Sequence, residues 1–291
     1  TEYNEHDPFV GKAILQKHGR EFLLVNPPAR PLTTPEMDQV AELPYVREPH
    51  PMYDDMAAAA IREVRFSVTT TGLLWRLQLL LPGLPPGACH LLPQPRERHP
   101  GVKALTEHPG FKGYIHDVGG PSATFRRPSC QKQLKAGLCK NRACLAPQAC
   151  PNLDADHTDY MMLLRKLREI PKVKRCSSGR ASALTPDEGP SGEFFTDLIQ
   201  HHISGQLKVA PEHCVAHTLD YMGKPHIEVY EKFREKTKLN RRYGKDQYSG
   251  AYLISSHPGC TLEDAVQLAE WLKQAGPHAE QVQDFYPTPA P

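Results

Sequence analysis

Three things are scarce in this sequence: an excess of charge of one sign, uninterrupted apolar runs, and closely spaced cysteine pairs. Thirty-five basic against 33 acidic residues leave a net charge of +2, too little for a whole-chain field that would gather nucleic acid or lipid headgroups. The longest apolar stretch, Leu73 to Leu92, is broken by Arg76 and by five prolines or glycines between Pro82 and Gly87, so it cannot cross a bilayer as a helix. No two cysteines stand in a C-x2-C spacing, which removes the zinc-ribbon pattern. The segment Thr1 to Asp7 is polar and shows no basic stretch leading into an apolar one. The expectation is therefore a cytoplasmic protein with no membrane partner, whose eight cysteines read as metal ligands or thiols before they read as disulfides.

The 291 residues, 39% hydrophobic and 23% charged, are enough for a sizeable core in one large domain or two small ones, at roughly 100–200 residues per domain. Proline is abundant: 29 residues, about twice the usual ~5%. The prolines cluster at 27–35, 82–100 and 287–291, where they mark loops and chain breaks.

Residues 11 to 26 read as a small hairpin turning at His18-Gly19. Thr34-Pro35-Glu36 reads as a helix start, with a capping hydroxyl, proline at the first helical position and an acid in the first turn. From about Val64 the pattern alternates strand, helix and strand, which favours parallel pairing through crossover helices. Residues 1–63 are thus an N-terminal extension and 64–291 the core. The predicted strands are Val64 to Val68, Tyr114 to Val118, Gln206 to Ala210, Tyr252 to Ser255 and Val282 to Phe285. Tyr160, Leu163, Leu164 and Leu167 repeat at helical spacing before Pro171. Thr261-x-x-Asp264 is a capping box opening a helix with Leu262, Ala265, Leu268, Ala269 and Leu272 on one face. A further helix from Ile227 carries Tyr230 and Phe233 inward.

In parallel α/β folds chemistry collects at the C-terminal ends of strands. Three such ends carry unusual residues. Asp117-Val118-Gly119-Gly120-Pro121 offers glycines that let backbone approach a ligand. Ala210-Pro211-Glu212-His213-Cys214 adds an acid, an imidazole and a thiol, and Ser255-Ser256-His257-Pro258-Gly259-Cys260 adds hydroxyls, an imidazole and a thiol. Each also has a plain reading as a turned corner.

Cys130, Cys139, Cys144 and Cys150 lie within a Cys-rich insertion at 126–152, spaced C-x8-C-x4-C-x5-C among Lys132, Lys135, Lys140 and Arg142. Nearby cations favour thiolates, which bind zinc or an iron–sulfur cluster; unligated or redox thiols are the alternative. The other four cysteines are isolated in sequence and read as buried, inert thiols. The run Lys232 to Lys245, with Phe233 and Tyr243 interleaved, is either an RNA-binding patch or, more simply, a solvated helix face.

The strings Asn26-Pro27-Pro28-Ala29-Arg30-Pro31-Leu32, Glu107-His108-Pro109-Gly110-Phe111-Lys112-Gly113-Tyr114, Gly205-Gln206-Leu207-Lys208-Val209-Ala210-Pro211-Glu212-His213, Ser255-Ser256-His257-Pro258-Gly259-Cys260 and Gln283-Asp284-Phe285-Tyr286-Pro287-Thr288-Pro289 resemble the YgiQ-type radical SAM proteins, in order and over nearly the whole chain. The resemblance implies an α/β partial (β/α) barrel, TIM-like, holding a [4Fe–4S] cluster and S-adenosylmethionine. The cofactor is cleaved reductively to a 5′-deoxyadenosyl radical, with an electron donor such as flavodoxin or ferredoxin and a substrate the resemblance does not name. It places Gly119 and Gly120 at the methionine amino group, and Glu212, Ser255 and Ser256 against the rest of the cofactor. Members are longer at both ends, which makes an internal fragment the expectation here.

The departure from the family lies after Val68-Thr69. There the family has C-x3-C-x2-C for three irons of the cluster, whereas this chain reads Thr70-Thr71-Gly72-Leu73-Leu74-Trp75-Arg76-Leu77-Gln78-Leu79-Leu80-Leu81. Leu73 to Leu80 can be written CTG TTG TGG CGG CTG CAG CTT CTG. One base later, with a C from the next codon, it reads Cys-Cys-Gly-Gly-Cys-Ser-Phe-Cys, which contains the motif. Pro82 to His90 in that frame can encode Leu-Ala-Phe-His-Gln-Gly-Arg-Val, again family-like. Arg175 to Ala183 can be written CGG TGT TCA TCC GGT CGG GCA TCC GCT, which two bases in gives Val-Phe-Ile-Arg-Ser-Gly-Ile-Arg, an apolar strand. Two segments, near 70–100 and 176–190, are therefore expected to be out-of-frame translations, with Cys89 and Cys176 discounted as ligands. Without the loop thiolates the cluster has no ligands, and the chain is expected to be inactive. Loss of a strand near 176 is expected to leave unpaired edges in the barrel wall. Two other classes arise from the residues alone: a non-catalytic metal-binding protein using Cys130 to Cys150, and an RNA-modifying enzyme using the 232–245 face.

Overall fold

The computed structural model describes residues 9–27, 29–30, 33–56, 61, 64–69, 100–119, 130–136, 139, 150–153, 156–177, 193–203, 205–237, 243–275 and 281–285. The chain opens with the expected hairpin, β1 (Ile14–His18) antiparallel to β2 (Glu21–Val25). Gly19 supplies the turn at φ +59°, a conformation that costs glycine little. Both faces of the ribbon are open, with Leu15, Phe22, Leu23 and Leu24 each at least half exposed. Helix α1 (Thr34–Ala41) comes next, capped one residue earlier than the sequence suggests: the N–H and hydroxyl of Thr33 both donate to Glu36 at 2.7 Å. A 3-10 turn (Pro51–Met56) leads toward the core. There Glu48 takes Arg65 and the His108 imidazole Nε2, the latter at 3.1 Å, which links the segment around residue 48 to residues 65 and 108.

The first parallel unit is short-stranded. β3 (Val68–Thr69) pairs with β5 (Val118–Gly119), and β4 (Tyr114–Ile115) pairs with β6 (Arg175–Cys176). Because β4 and β5 are successive parts of one run, residues 114–119 lie between the other two strands, with Val68 N–H donating to Asp117 and Val118 N–H to Ser177. Two expectations change here. Residues 64–67 close a helical turn rather than begin a strand, since Arg65 N–H bonds Ile61. A strand is present at 175–176 after all, paired with β4: Lys174, Arg175 and Ser177 donate to the Gly113 and Ile115 carbonyls and Cys176 is fully buried, where the sequence has no strand period.

Helix α2 (Pro100–Glu107) and helix α4 (Thr158–Arg168) cover this unit, with the short α3 (Gln131–Ala136) between them in sequence. Tyr160, Leu163, Leu164 and Leu167 are buried as the spacing predicts, against Val102, Leu105, Ile115 and Val118. The Tyr160 hydroxyl donates to the Val118 carbonyl, fixing the end of β5. Gly113 is required: at φ +95° an added Cβ would lie 2.9 Å from the Lys172 carbonyl.

The second parallel unit, in order β7-β8-β9, comprises β7 (Gln206–Glu212), β8 (Tyr248–Ser255) and β9 (Gln281–Asp284). Helices α6 (Ala216–Met222) and α7 (Ile227–Thr237) connect β7 to β8, and α8 (Leu262–Ala275) connects β8 to β9. Tyr230 is buried and Phe233 partly buried, as expected. The capping box forms, with Thr261 N–H to Asp264 at 2.7 Å and Asp264 N–H to the Thr261 hydroxyl at 3.3 Å. The α8 face differs from expectation: Leu268 is buried, but Leu262 is 83% exposed and Ala265 and Ala269 also face outward.

The two units meet at α5 (Glu193–Asp197) and the π-helical turn Leu198–His202. Phe194 packs against both cores. Asp197 receives Arg165 at 3.4 Å and Arg168 at 3.9 Å from α4. His202 is fully buried, and its Nδ1 donates to the Cys176 carbonyl at 2.9 Å. Burial is the main cause holding His202 down to about 4, opposed chiefly by that carbonyl and by Asp197 and aided by Arg168 and His201. Between pH 6.5 and 4 the unfolded chain then binds this proton and the folded chain does not. Stability is full above about pH 6.5 and should fall by roughly 3 kcal/mol as the pH approaches 4. Denaturant unfolding across this range, compared with His202→Gln, checks it; equal pH slopes in the two proteins would contradict it.

Candidate functional site

The richest strand end is that of β7. Leu207 and Val209 point into the core, and the pairing with β8 slips between Val209 and Glu212. His213 N–H bonds back to the Pro211 carbonyl at 2.9 Å, leaving Glu212 in the centre of a three-residue turn at φ +66°. A non-glycine residue held there costs of order 1–3 kcal/mol, so the surrounding structure must fix it. The fixing partner is Lys224, whose Nζ lies 2.7 Å from Glu212 Oε1 with only 3% of its side chain exposed. Lys224 reaches inward because Gly223 ends α6 in the left-handed conformation, with the N–H groups of Gly223 and Lys224 closing on the Asp220 and Leu219 carbonyls. Burial lowers the Lys224 pKa, and the Glu212 carboxylate works against that.

The end of β8 lies alongside. The Ser255 hydroxyl donates to Asp284 on β9, and Ser256 sits at φ +59°. His257 is buried edge-on to Phe285 at 4.8 Å. The loop returns to β7 through Cys260, whose Sγ is 3.6 Å from His213 Nε2. His213 Nδ1 accepts the Val215 N–H at 3.1 Å, so in the neutral ring Nε2 carries the proton toward sulfur. Burial lowers His213 and raises the thiols of Cys214 and Cys260. Neither thiol is therefore poised as a nucleophile. His217 on α6 meets Asp264 at 3.0 Å, joining α6 to the start of α8.

The structure thus brings together Glu212, Ser255 and Ser256 on adjacent parallel strands. Gly119 ends β5 in the other unit, where an added Cβ would meet nothing nearer than Asp117 at 3.9 Å, so packing does not demand this glycine. Gly120 and Cys144 lie outside the described residues. In the Cys-rich insertion, Lys132 Nζ approaches the Cys139 sulfur at 3.7 Å, while Cys130 and Cys150 are partly buried. No group of three His, Cys, Asp or Glu side chains that could hold a metal occurs among the described residues. In the basic run, Lys245 is partly buried and donates to the Gln200 carbonyl. Among the described residues no helix is long and apolar enough to cross a membrane. Sequence reasoning missed Lys224, because nothing in Gly-Lys-Pro announces burial, and it missed His217 and Asp264 as a pair for want of any local signal.

The family described as "Radical SAM N-terminal" matches residues 1–67. A UPF0313 protein of Clostridium perfringens (strain SM101 / Type A) is 42% identical over 294 residues, covering 99% of this chain and 44% of that protein. One of Clostridium botulinum (strain Okra / Type B1) is 45% identical over 305 residues, covering 99% of this chain and 45% of that protein. The chain is thus similar to a radical SAM family over its first 67 residues and to UPF0313 proteins over nearly its whole length, and it has mixed α/β architecture. It spans less than half the length of the curated relatives it matches. No solved structure matches it.

The loop geometry at 259 can be tested directly. Gly259 is at φ +89°, and an added Cβ would lie 2.8 Å from the Tyr221 ring. Gly259→Ala should destabilise the protein by about 1–3 kcal/mol, measured by denaturant unfolding, and Tyr221→Ala should relieve part of that loss.

Proposed function

We propose that this chain carries the S-adenosylmethionine-binding rim of a partial (β/α) barrel and lacks ligands for the cluster that such a rim serves. The observation that carries the reading is the pairing of β7 and β8: their neighbouring C-terminal ends each hold a non-glycine residue, Glu212 and Ser256, in the left-handed region. Backbone strain of this kind persists where the surrounding structure over-determines it, and it clusters at ligand sites. In this reading Gly119 and Gly120 approach the methionine amino group, and Glu212, Ser255 and Ser256 meet the remainder of the cofactor. A carboxylate and two hydroxyls suit the ammonium and hydroxyl groups that such a ligand presents.

The 70–81 stretch, where the family places its cluster ligands, does not fit a [4Fe–4S] cluster. Such a cluster needs thiolates held together on one loop, and this stretch contains no cysteine. Elsewhere, burial drives the Cys176 thiol up to about 12 and raises that of Cys260, leaving both protonated. The activity proposed for the intact lineage is reductive cleavage of S-adenosylmethionine to a 5′-deoxyadenosyl radical acting on an unknown substrate, with a flavodoxin or ferredoxin as electron donor. With this sequence, the chain is proposed to bind the cofactor without cleaving it. Segments 70–100 and 176–190 are proposed to be out-of-frame, in a cytoplasmic protein. A metal-binding role for Cys130 to Cys150 and an RNA-modifying role for the 232–245 face gain no observation in their favour.

Anaerobic reconstitution with iron and sulfide should leave this chain without the broad visible absorption of a cluster, while equilibrium dialysis shows retained S-adenosylmethionine. Replacing 73–80 by Cys-Cys-Gly-Gly-Cys-Ser-Phe-Cys should confer the absorption. Cluster uptake by the unaltered chain would overturn the first part, and absence of cofactor binding the second. The nucleotide sequence across codons 68–101 and 174–192 decides the reading frame; leucines in unrelated codons would sink that idea.

A further inference from the structure

We infer that Lys224 is a positioning residue for Glu212, and that the two act as one unit presenting a fixed carboxylate to a hydroxyl or ammonium donor of the ligand at the end of β7. The inference rests on the rim binding S-adenosylmethionine, as proposed above. Lys224 Nζ is shut off from solvent and lies 2.7 Å from Glu212 Oε1, an ion pair without hydrogen-bond alignment, and no other partner for it occurs among the described residues. An ammonium enclosed in this way cannot itself reach a ligand, so whatever it contributes passes through the carboxylate. The other carboxylate oxygen, Oε2, has no hydrogen-bond or ion-pair partner among the described residues, which leaves it for a donor from outside the fold.

The backbone supports the same division of labour. Glu212 sits at φ +66° in the turn closed by Pro211 and His213, so its side chain departs from the strand's alternation and is directed by the turn. Gly223, at φ +64°, swings Lys224 back beneath it. A buried ion pair of this kind contributes little net stability compared with well-packed apolar side chains, because desolvating two charges offsets most of their attraction. Its value is positional: attraction to the enclosed ammonium keeps one carboxylate oxygen turned inward, which leaves the second one facing away from it. Serine or threonine at 212 would offer a hydroxyl but no such fixed pair of acceptors.

The test uses the full chain, radiolabelled S-adenosylmethionine in equilibrium dialysis, and denaturant unfolding of every variant. Glu212→Gln and Lys224→Met should each weaken binding, by about 30-fold or more. Each single variant leaves a buried charge unpaired and is at risk of not folding. The double variant removes both charges, should recover its fold, and should bind no more weakly than Glu212→Gln alone. If the double variant binds about 30-fold more weakly than Glu212→Gln, Lys224 acts on its own account and the inference fails. Unchanged binding in a folded Lys224→Met variant overturns it as well. Absence of binding by the unaltered chain rejects the rim reading and the inference together, a different result from either.

Discussion

The fold depends on how the end of one short helical segment is satisfied. The last carbonyls of a helix have no partner within it, and in the turn Leu198–His202 they are met by side chains from three directions. Arg175 at the start of β6 donates to Ile203, Lys245 donates to Gln200, and Gln247 donates to both Ile199 at 2.9 Å and Ile203 at 3.0 Å. Among the described residues no strand pairing joins the β3–β6 unit to the β7–β9 unit. This turn, with Phe194 in both cores and Asp197 held by α4, joins them instead. The strand ends that form the candidate site inherit their placement from it.

That dependence explains which parts of the molecule the sequence reveals. Helix α4 and the Thr261–Asp264 capping box are local: side chains three and four residues apart decide them, and the chain carries both patterns in full. Strand β6 is not local. Arg175 and Cys176 have no strand period, and pairing arises because Gly113 and Ile115 offer carbonyls to Lys174, Arg175 and Ser177. The α8 face shows the limit of periodicity from the other side. Helical spacing says which residues share a face, but burial requires something opposite, and for Leu262 and Val266 the described residues provide nothing that covers them.

At the site, the sequence shows which residue types stand at strand ends and not how they are held. Glu212, Ser255 and Ser256 are visible from their position after apolar strands. Lys224 and the His213–Cys260 contact are invisible, because each joins residues brought close only by the parallel packing of β7, α6 and β8. Burial keeps the thiols of Cys214 and Cys260 protonated, in line with their reading as inert thiols and despite the imidazole beside Cys260.

The open hairpin at the start of the chain has a consequence in the time domain. A two-stranded ribbon with both faces in water gains little from packing and is marginal by itself, so its amides open without any other part of the molecule opening. The β7–β8 amides, between Leu207, Val209 and Leu253 and the helices above them, exchange only when a whole core comes apart. One polypeptide thus holds regions that sample solvent on very different timescales, and the strained turn at Glu212 lies in the slow one, where a distorted backbone can be kept in place.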